Sequence, residues 1–157
     1  MKKLAGGLFA LSLICLCAAP VYAENSAGGN TTITTEAKAA YTITIPEKLE
    51  IPYGSTEAKP LTLTASGMLI EDEKEVSVTA AGSGANGAFT MANGNNTLAY
   101  ELSKAASPWS AVAVNGEVAS FTENGTAAIY AKVPDWQITA AGKYSGTITF
   151  TVTYQNQ

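Results

Sequence analysis

From position 147 to 154 the chain reads TITFTVTY, with Thr at every odd position and Ile, Phe, Val or Tyr at every even one. A period of two places alternate side chains on opposite faces of an extended strand, whereas a helix returns to one face about every 3.6 residues. The segment therefore predicts a strand with an apolar row, Ile148, Phe150, Val152 and Tyr154, and a hydroxyl row, Thr147, Thr149, Thr151 and Thr153. Thr suits a wetted sheet face and large apolar side chains a buried one, so the fold must offer a sheet with one covered face. The preceding AGKYSG, residues 141–146, reads as the entry to the same strand.

The alternation recurs upstream. Tyr41, Ile43 and Ile45 oppose Thr42 and Thr44 before Pro46 ends the ladder. Leu61 and Leu63 oppose Thr62 and Thr64, and Val76 and Val78 oppose Ser77 and Thr79. In NTLAYELS (96–103) Leu98, Tyr100 and Leu102 share a face, as do Ile129, Ala131 and Val133 in AAIYAKV (127–133). Between the runs lie Gly82-Ser83-Gly84, Asn93-Gly94-Asn95, Asn115-Gly116 and Asn124-Gly125, residues that accept positive φ and tight reversals. The Ala-rich stretches 79–88 and 112–120 are interrupted by Gly, Asn and β-branched residues, which leaves room for a helical turn only near Ala105 or Asp135. Many short strands at fairly even spacing predict an all-β fold, an antiparallel sandwich rather than alternating β and α units.

The N-terminus bears on compartment. MKK, the apolar LAGGLFALSLICLCAA and Val21-Tyr22-Ala23 are the three parts of a secretory signal peptide, which predicts cleavage after Ala23. The apolar run is broken by Gly and Ser and is short of the roughly 20 residues of a bilayer span, so no integral membrane segment is expected after cleavage. Both cysteines, Cys15 and Cys17, fall inside it, each after a bulky residue where a lipoprotein signal needs a small one. Residues 1–23 are read as signal, 24–38 as a flexible polar leader and 39–157 as a single β-sandwich domain held together without disulfides. The expected location is extracellular or at the cell surface.

Beyond the signal, seven lysines and no arginine face thirteen acidic residues. No basic face is available to neutralise phosphates, and nucleic acid is not an expected partner. The same region has no His and no Cys, which removes the usual general base at neutral pH and the thiolate nucleophile. Ser107-Pro108 and Ser145-Gly146 lack nucleophile-elbow spacing. A hydrolase built on two carboxylates is the remaining enzymatic alternative, and it requires both acids in one cleft. The densest acidic group, Glu71 to Glu75, lacks the spacing and glycine of a calcium loop and reads as a solvated turn. No catalytic residue, cofactor or metal ligand is assigned, and the chain is read as a non-enzyme.

Trp109 and Trp136, with Tyr53 and Tyr130, are able to stack on a sugar ring or an apolar partner surface, although large aromatics also fill cores. Trp109 follows Pro108 at a strand entrance and Trp136 sits in VPDWQI between strands. The two tryptophans are the candidate ligand-stacking residues, with a glycan as the ligand. An ice-binding face is not expected, because the TxT elements are scattered without a fixed repeat and sheets twist.

The layout NTLAYELS, NGTAAIYAKVP, AGKYSGTITFTVTY resembles bacterial pilin-like β-sandwiches of the spore-coat-U and chaperone-usher fimbrial type. There an LxYxL-like segment precedes an xIYAxVP-like strand, and an AGxYxGxxxFxVxY-like strand closes the chain. The resemblance implies an immunoglobulin-like sandwich with Greek-key connections, complete or short of a strand. Its last strand would lie within the sandwich and show Ile148, Phe150, Val152 and Tyr154 to the core or to an assembly partner. In that group such alternation is read by β-strand addition. The disulfide common in the group is absent, and Ile33 is the one strongly apolar residue of the leader segment NTTITTEA. The expected function is that of a structural or adhesive subunit of a pilus, coat or matrix. Its partners would be other surface or pilus subunits, copies of itself included. A carbohydrate- or protein-binding sandwich module is the alternative.

Overall fold

The computed structural model describes residues 33–157. The expected signal peptide, and the leader as far as residue 32, lie outside the described residues. In chain order the strands are β1 (Ala40–Thr44), β2 (Lys59–Leu69), β3 (Lys74–Gly82), β4 (Thr90–Asn93), β5 (Asn96–Ala99), β6 (Glu101–Ser103), β7 (Gly116–Phe121), β8 (Gly125–Lys132) and β9 (Ile148–Asn156). They form a four-stranded sheet in the order β1-β2-β8-β6, a three-stranded sheet β7-β3-β9, and a β4-β5 hairpin. Every pairing is antiparallel, and no α-helix occurs among the described residues. Glu36–Gln157 is one compact, sandwich-like all-β unit.

The alternation sorts the apolar rows as its period demands. Ser77, expected on the wetted row of β3, is instead buried, because β3 lies between β7 and β9 and the Ser77 hydroxyl donates to Glu117. β2 buries Leu61, Leu63 and Ala65, β3 buries Val76, Val78 and Ala80, and β8 buries Ile129 and Ala131. Apart from Val76, the inward rows of both larger sheets meet in one apolar cluster, to which Leu98, Leu102, Phe121 and Val133 also belong. Leu63, Val76, Val78 and Ile129 are fully enclosed, and each such burial stabilises by roughly 1.5–3 kcal/mol. Two bulges shape the sheets. Gly67 (φ 62) lies where the β1-β2 register steps from Ala40↔Leu69 to Thr42↔Ser66, and Val118 lies where the β3-β7 register shifts.

Turn chemistry works where Gly and Asn cluster. The β4-β5 loop is Gly94-Asn95, with φ of 59 at Gly94 alone, the type II′ pattern that matches strand twist. The acidic run forms the turn between β2 and β3. There Lys74 N donates to Glu71 O, Glu73 adopts φ 62, and Glu71, Asp72 and Glu73 are exposed.

Several local expectations change. Leu98, Tyr100 and Leu102 do share a buried face, yet the strand breaks at Tyr100 because the segment serves two sheets. Asn96–Ala99 pairs with β4, Glu101–Ser103 pairs with β8, and at the break Tyr100 N donates to Phe89 O at 2.9 Å. The closing strand begins at Ile148, not at residue 141. Residues 141–147 are engaged by the hairpin instead: Ser145 and Ala92 exchange both main-chain hydrogen bonds, at 2.8 and 3.0 Å. A Cβ on Gly146 would lie 2.4 Å from Thr90 O, so glycine permits that approach. Strands β4 and β7 carry no clean alternation, since β4 buries no side chain fully and β7 is bulged. The helical turn is a 3-10 turn at Ala85–Gly87, where Asn86 and Gly87 take φ of 55 and 80, and not one near Ala105 or Asp135.

Candidate functional site

A strand at the edge of a sheet leaves main-chain donors and acceptors unpaired, and folded proteins blunt such edges by shortening, bulging or charging them. Strand β6 has three residues, β1 has five and is followed closely by Pro46, and β7 is bulged and carries Glu117. Strand β9 has none of these protections. It pairs with β3 along its whole length, from Gly82↔Ile148 to Lys74↔Asn156, and with no other strand among the described residues. Its nine residues include no charge, no proline and no bulge.

The side-chain rows of β9 behave unequally. Thr149, Thr151 and Thr153 are exposed, as the hydroxyl row predicts, while Ile148, Phe150, Val152 and Tyr154 are half-buried and not enclosed. Ile148, Phe150 and Val152 pack on the core. Tyr154 serves another purpose: its hydroxyl accepts from Glu71 N at 3.0 Å and its ring lies 6.1 Å from that of Tyr41, which ties down the β2-β3 turn.

A groove of ≈ 230 Å³ runs beside Ile148 and Phe150. Ile45, Leu49 and Ile51 line it from the connection between β1 and β2. That connection forms no strand, and Pro46 and Pro52 have no amide N–H to give to a ladder. Among the described residues the main-chain hydrogen bond within 45–58 is Ser55 N to Pro52 O. Apolar side chains from residues 45–51 thus partly shield the core beside β9 without pairing with its backbone. Lys48 and Glu50 form an exposed ion pair there, and the Lys48 ammonium holds the Glu50 carboxyl below its ordinary range.

Tyr100 also lines the groove. It is 6% exposed, and its hydroxyl has no hydrogen-bond partner. Burial pushes the phenol up to about 12.

The two tryptophans have separate surroundings, and both ring N–H groups are already used. Trp109 Nε1 donates to Glu101 Oε2 at 2.8 Å, and Lys132 Nζ sits 4.0 Å over the ring, a cation–π contact that covers one face. Trp136 Nε1 donates to Ser55 O at 3.0 Å, and Tyr53 meets it edge-on at 5.4 Å. Tyr53 is the exposed member of that pair. The two rings therefore anchor loops at two separate positions and form no common platform.

Ser103 is the most deeply buried hydroxyl, and its partners are structural. Oγ donates to Ala105 O and accepts from Ala105 N and Ser110 N, which pins the loop after β6. The adjacent Lys104 binds Glu117, whose other carboxylate oxygen accepts from Ser77 Oγ.

Sequence reasoning finds the apolar row of β9 but misses its groove partners. Ile45, Leu49 and Ile51 carried a signal in the two prolines, which forbid a ladder while leaving side chains free to pack. The unpaired hydroxyl of Tyr100 carried none, because a tyrosine on a core face reads like any other. No protein-family model matches the chain, and no curated protein matches it.

Proposed function

We propose that this is a secreted, non-catalytic protein of the bacterial surface, a structural or adhesive subunit of a pilus, coat or matrix that joins its neighbour through β9. The observation that carries the reading is the unprotected outer edge of β9 above an apolar groove. A strand laid along it gains main-chain hydrogen bonds from the edge and places alternate side chains beside Ile148 and Phe150. The order β1-β2-β8-β6 against β7-β3-β9 is read as an immunoglobulin-like Greek-key sandwich short of one strand next to β9. That is the pilin-like arrangement the sequence resembles. The donor is a strand of a neighbouring subunit, and copies of the same chain are included among the neighbours.

The test compares native surface material with a variant whose edge is charged. Thr151→Lys places an ammonium on the exposed row of β9, where it should alter the folding stability of the single subunit by no more than about 0.5 kcal/mol. Size-exclusion chromatography and electron microscopy of material from the producing cells should reveal multimers for the wild type and their loss in Thr151→Lys. A wild-type protein that is strictly monomeric and free of the cell surface overturns the reading.

A further inference from the structure

The pattern of β9 complements itself. Its outward side chains from Thr149 to Thr153 are all hydroxyls, and its inward ones from Ile148 to Tyr154 are all apolar and half-buried. When such a strand lies antiparallel against its own copy, an even sum of paired residue numbers sets like beside like, and an odd sum sets hydroxyls beside apolar side chains. An even sum also places one residue on the two-fold axis, opposite itself. With Phe150 on the axis, only residues 148–152 of the strand pair, and with Val152 there, Ile148 meets Asn156 of the second copy. With Thr151 on the axis, Phe150 faces Val152 of the second copy, Ile148 faces Tyr154, and Thr149 faces Thr153. Residues 148–154 then pair like with like throughout, and Thr–Thr and aromatic–aliphatic pairs of this kind stabilise a sheet.

Charge selects the same direction. At the Tyr154 end lies the β2-β3 turn, where Glu71, Asp72, Glu73 and Glu75 outnumber Lys74. That turn is held to the strand by Glu71 N donating to the Tyr154 hydroxyl and Gln157 N donating to Glu73 O, both at 3.0 Å. At the Ile148 end lie Glu47, Lys48, Glu50 and Lys143, two carboxylates against two ammoniums. An antiparallel pair sets each acidic turn at the end where the other copy holds Lys48 and Lys143, whereas a parallel pair brings two acidic turns together. The seam itself is uncharged, although the chain as a whole is acidic. We propose that the strand received at β9 is the β9 of a second copy, antiparallel, with Thr151 on the two-fold axis. Each copy supplies the strand the other lacks, and two β7-β3-β9 sheets become one continuous sheet of six strands. The assembling unit of the surface material is then a closed dimer. This inference rests on the reading of β9 as a strand-accepting edge.

Cysteine cross-linking separates the two claims. Thr149→Cys, Thr151→Cys and Thr153→Cys each place one thiol on the exposed row of the secreted protein, with wild type as the control for Cys15 and Cys17. Directly opposed residues lie within disulfide reach, whereas a register four residues out separates two thiols by roughly 13 Å. On mild oxidation Thr151→Cys should form a disulfide dimer at least about tenfold faster than Thr149→Cys or Thr153→Cys alone. An equimolar mixture of Thr149→Cys and Thr153→Cys should cross-link at a rate comparable to that of Thr151→Cys. If multimers of the native surface material are lost in Thr151→Lys while Thr151→Cys shows no such advantage, the two-fold pairing is overturned and the strand-accepting edge stands. If the wild type is monomeric and free of the cell surface, or its multimers survive Thr151→Lys, the reading of the edge fails and the inference fails with it.

Discussion

Raising the pH above 10 should expose the burial of Tyr100 directly. In the unfolded chain the phenol ionises near its ordinary value of 10, whereas in the folded protein burial holds its proton up to about 12. The sign follows from proton count: between these values the folded state binds more protons than the unfolded one, so stability falls as pH rises. The contribution is intact below pH 10 and is lost as pH climbs through about 12. Two pKa units correspond to about 2.7 kcal/mol at most, and roughly 2 kcal/mol of this should be gone by about pH 11.5. Urea unfolding followed by circular dichroism from pH 8 to 12 provides the assay, with Tyr100→Phe as the control. Contributions common to both proteins drop out of the difference. At pH 8 the variant should be the more stable by about 1 kcal/mol, because it lacks the unpaired hydroxyl. Its advantage should then widen by about 2 kcal/mol toward pH 11.5. Parallel pH profiles would refute the burial assigned to this hydroxyl.

Other perturbations test the frame around the edge. Ile129→Ala empties a fully enclosed site on β8 and should cost about 2–5 kcal/mol in denaturant unfolding. Ser103→Ala removes an acceptor for two loop N–H groups and a donor to Ala105 O. It should cost about 1–3 kcal/mol and raise amide exchange at Ala105 and Ser110. The Glu117 carboxyl is held below its ordinary value chiefly by its hydrogen bond from Lys104, with Ser77 also contributing. A lowered folded pKa means stability that is present above about pH 4.5 and lost as pH falls through the folded value. With its side chain 39% exposed, Glu117→Gln should cost under about 1 kcal/mol at pH 7 and nothing measurable near about pH 2.

The all-β class was legible from period two alone, because alternating apolar and hydroxyl rows have only one way to be sorted between a core and water. The inward rows of β2, β3 and β8 follow it, although Ser77 on the opposite row of β3 is buried as well. Glycine and asparagine marked the β4-β5 turn because positive φ is a local property. What a sequence cannot carry is which strand lies beside which. TITFTVTY would read the same at the centre of a sheet as at its rim, and only the pairing with β3 alone makes it an edge. The break at Tyr100 depends on Phe89, the groove depends on residues 45–51 meeting Ile148 and Phe150, and the unpaired hydroxyl depends on all that surrounds it. Side-chain periodicity is set by neighbours along the chain, whereas exposure of an edge and satisfaction of a buried polar atom are set by neighbours across space.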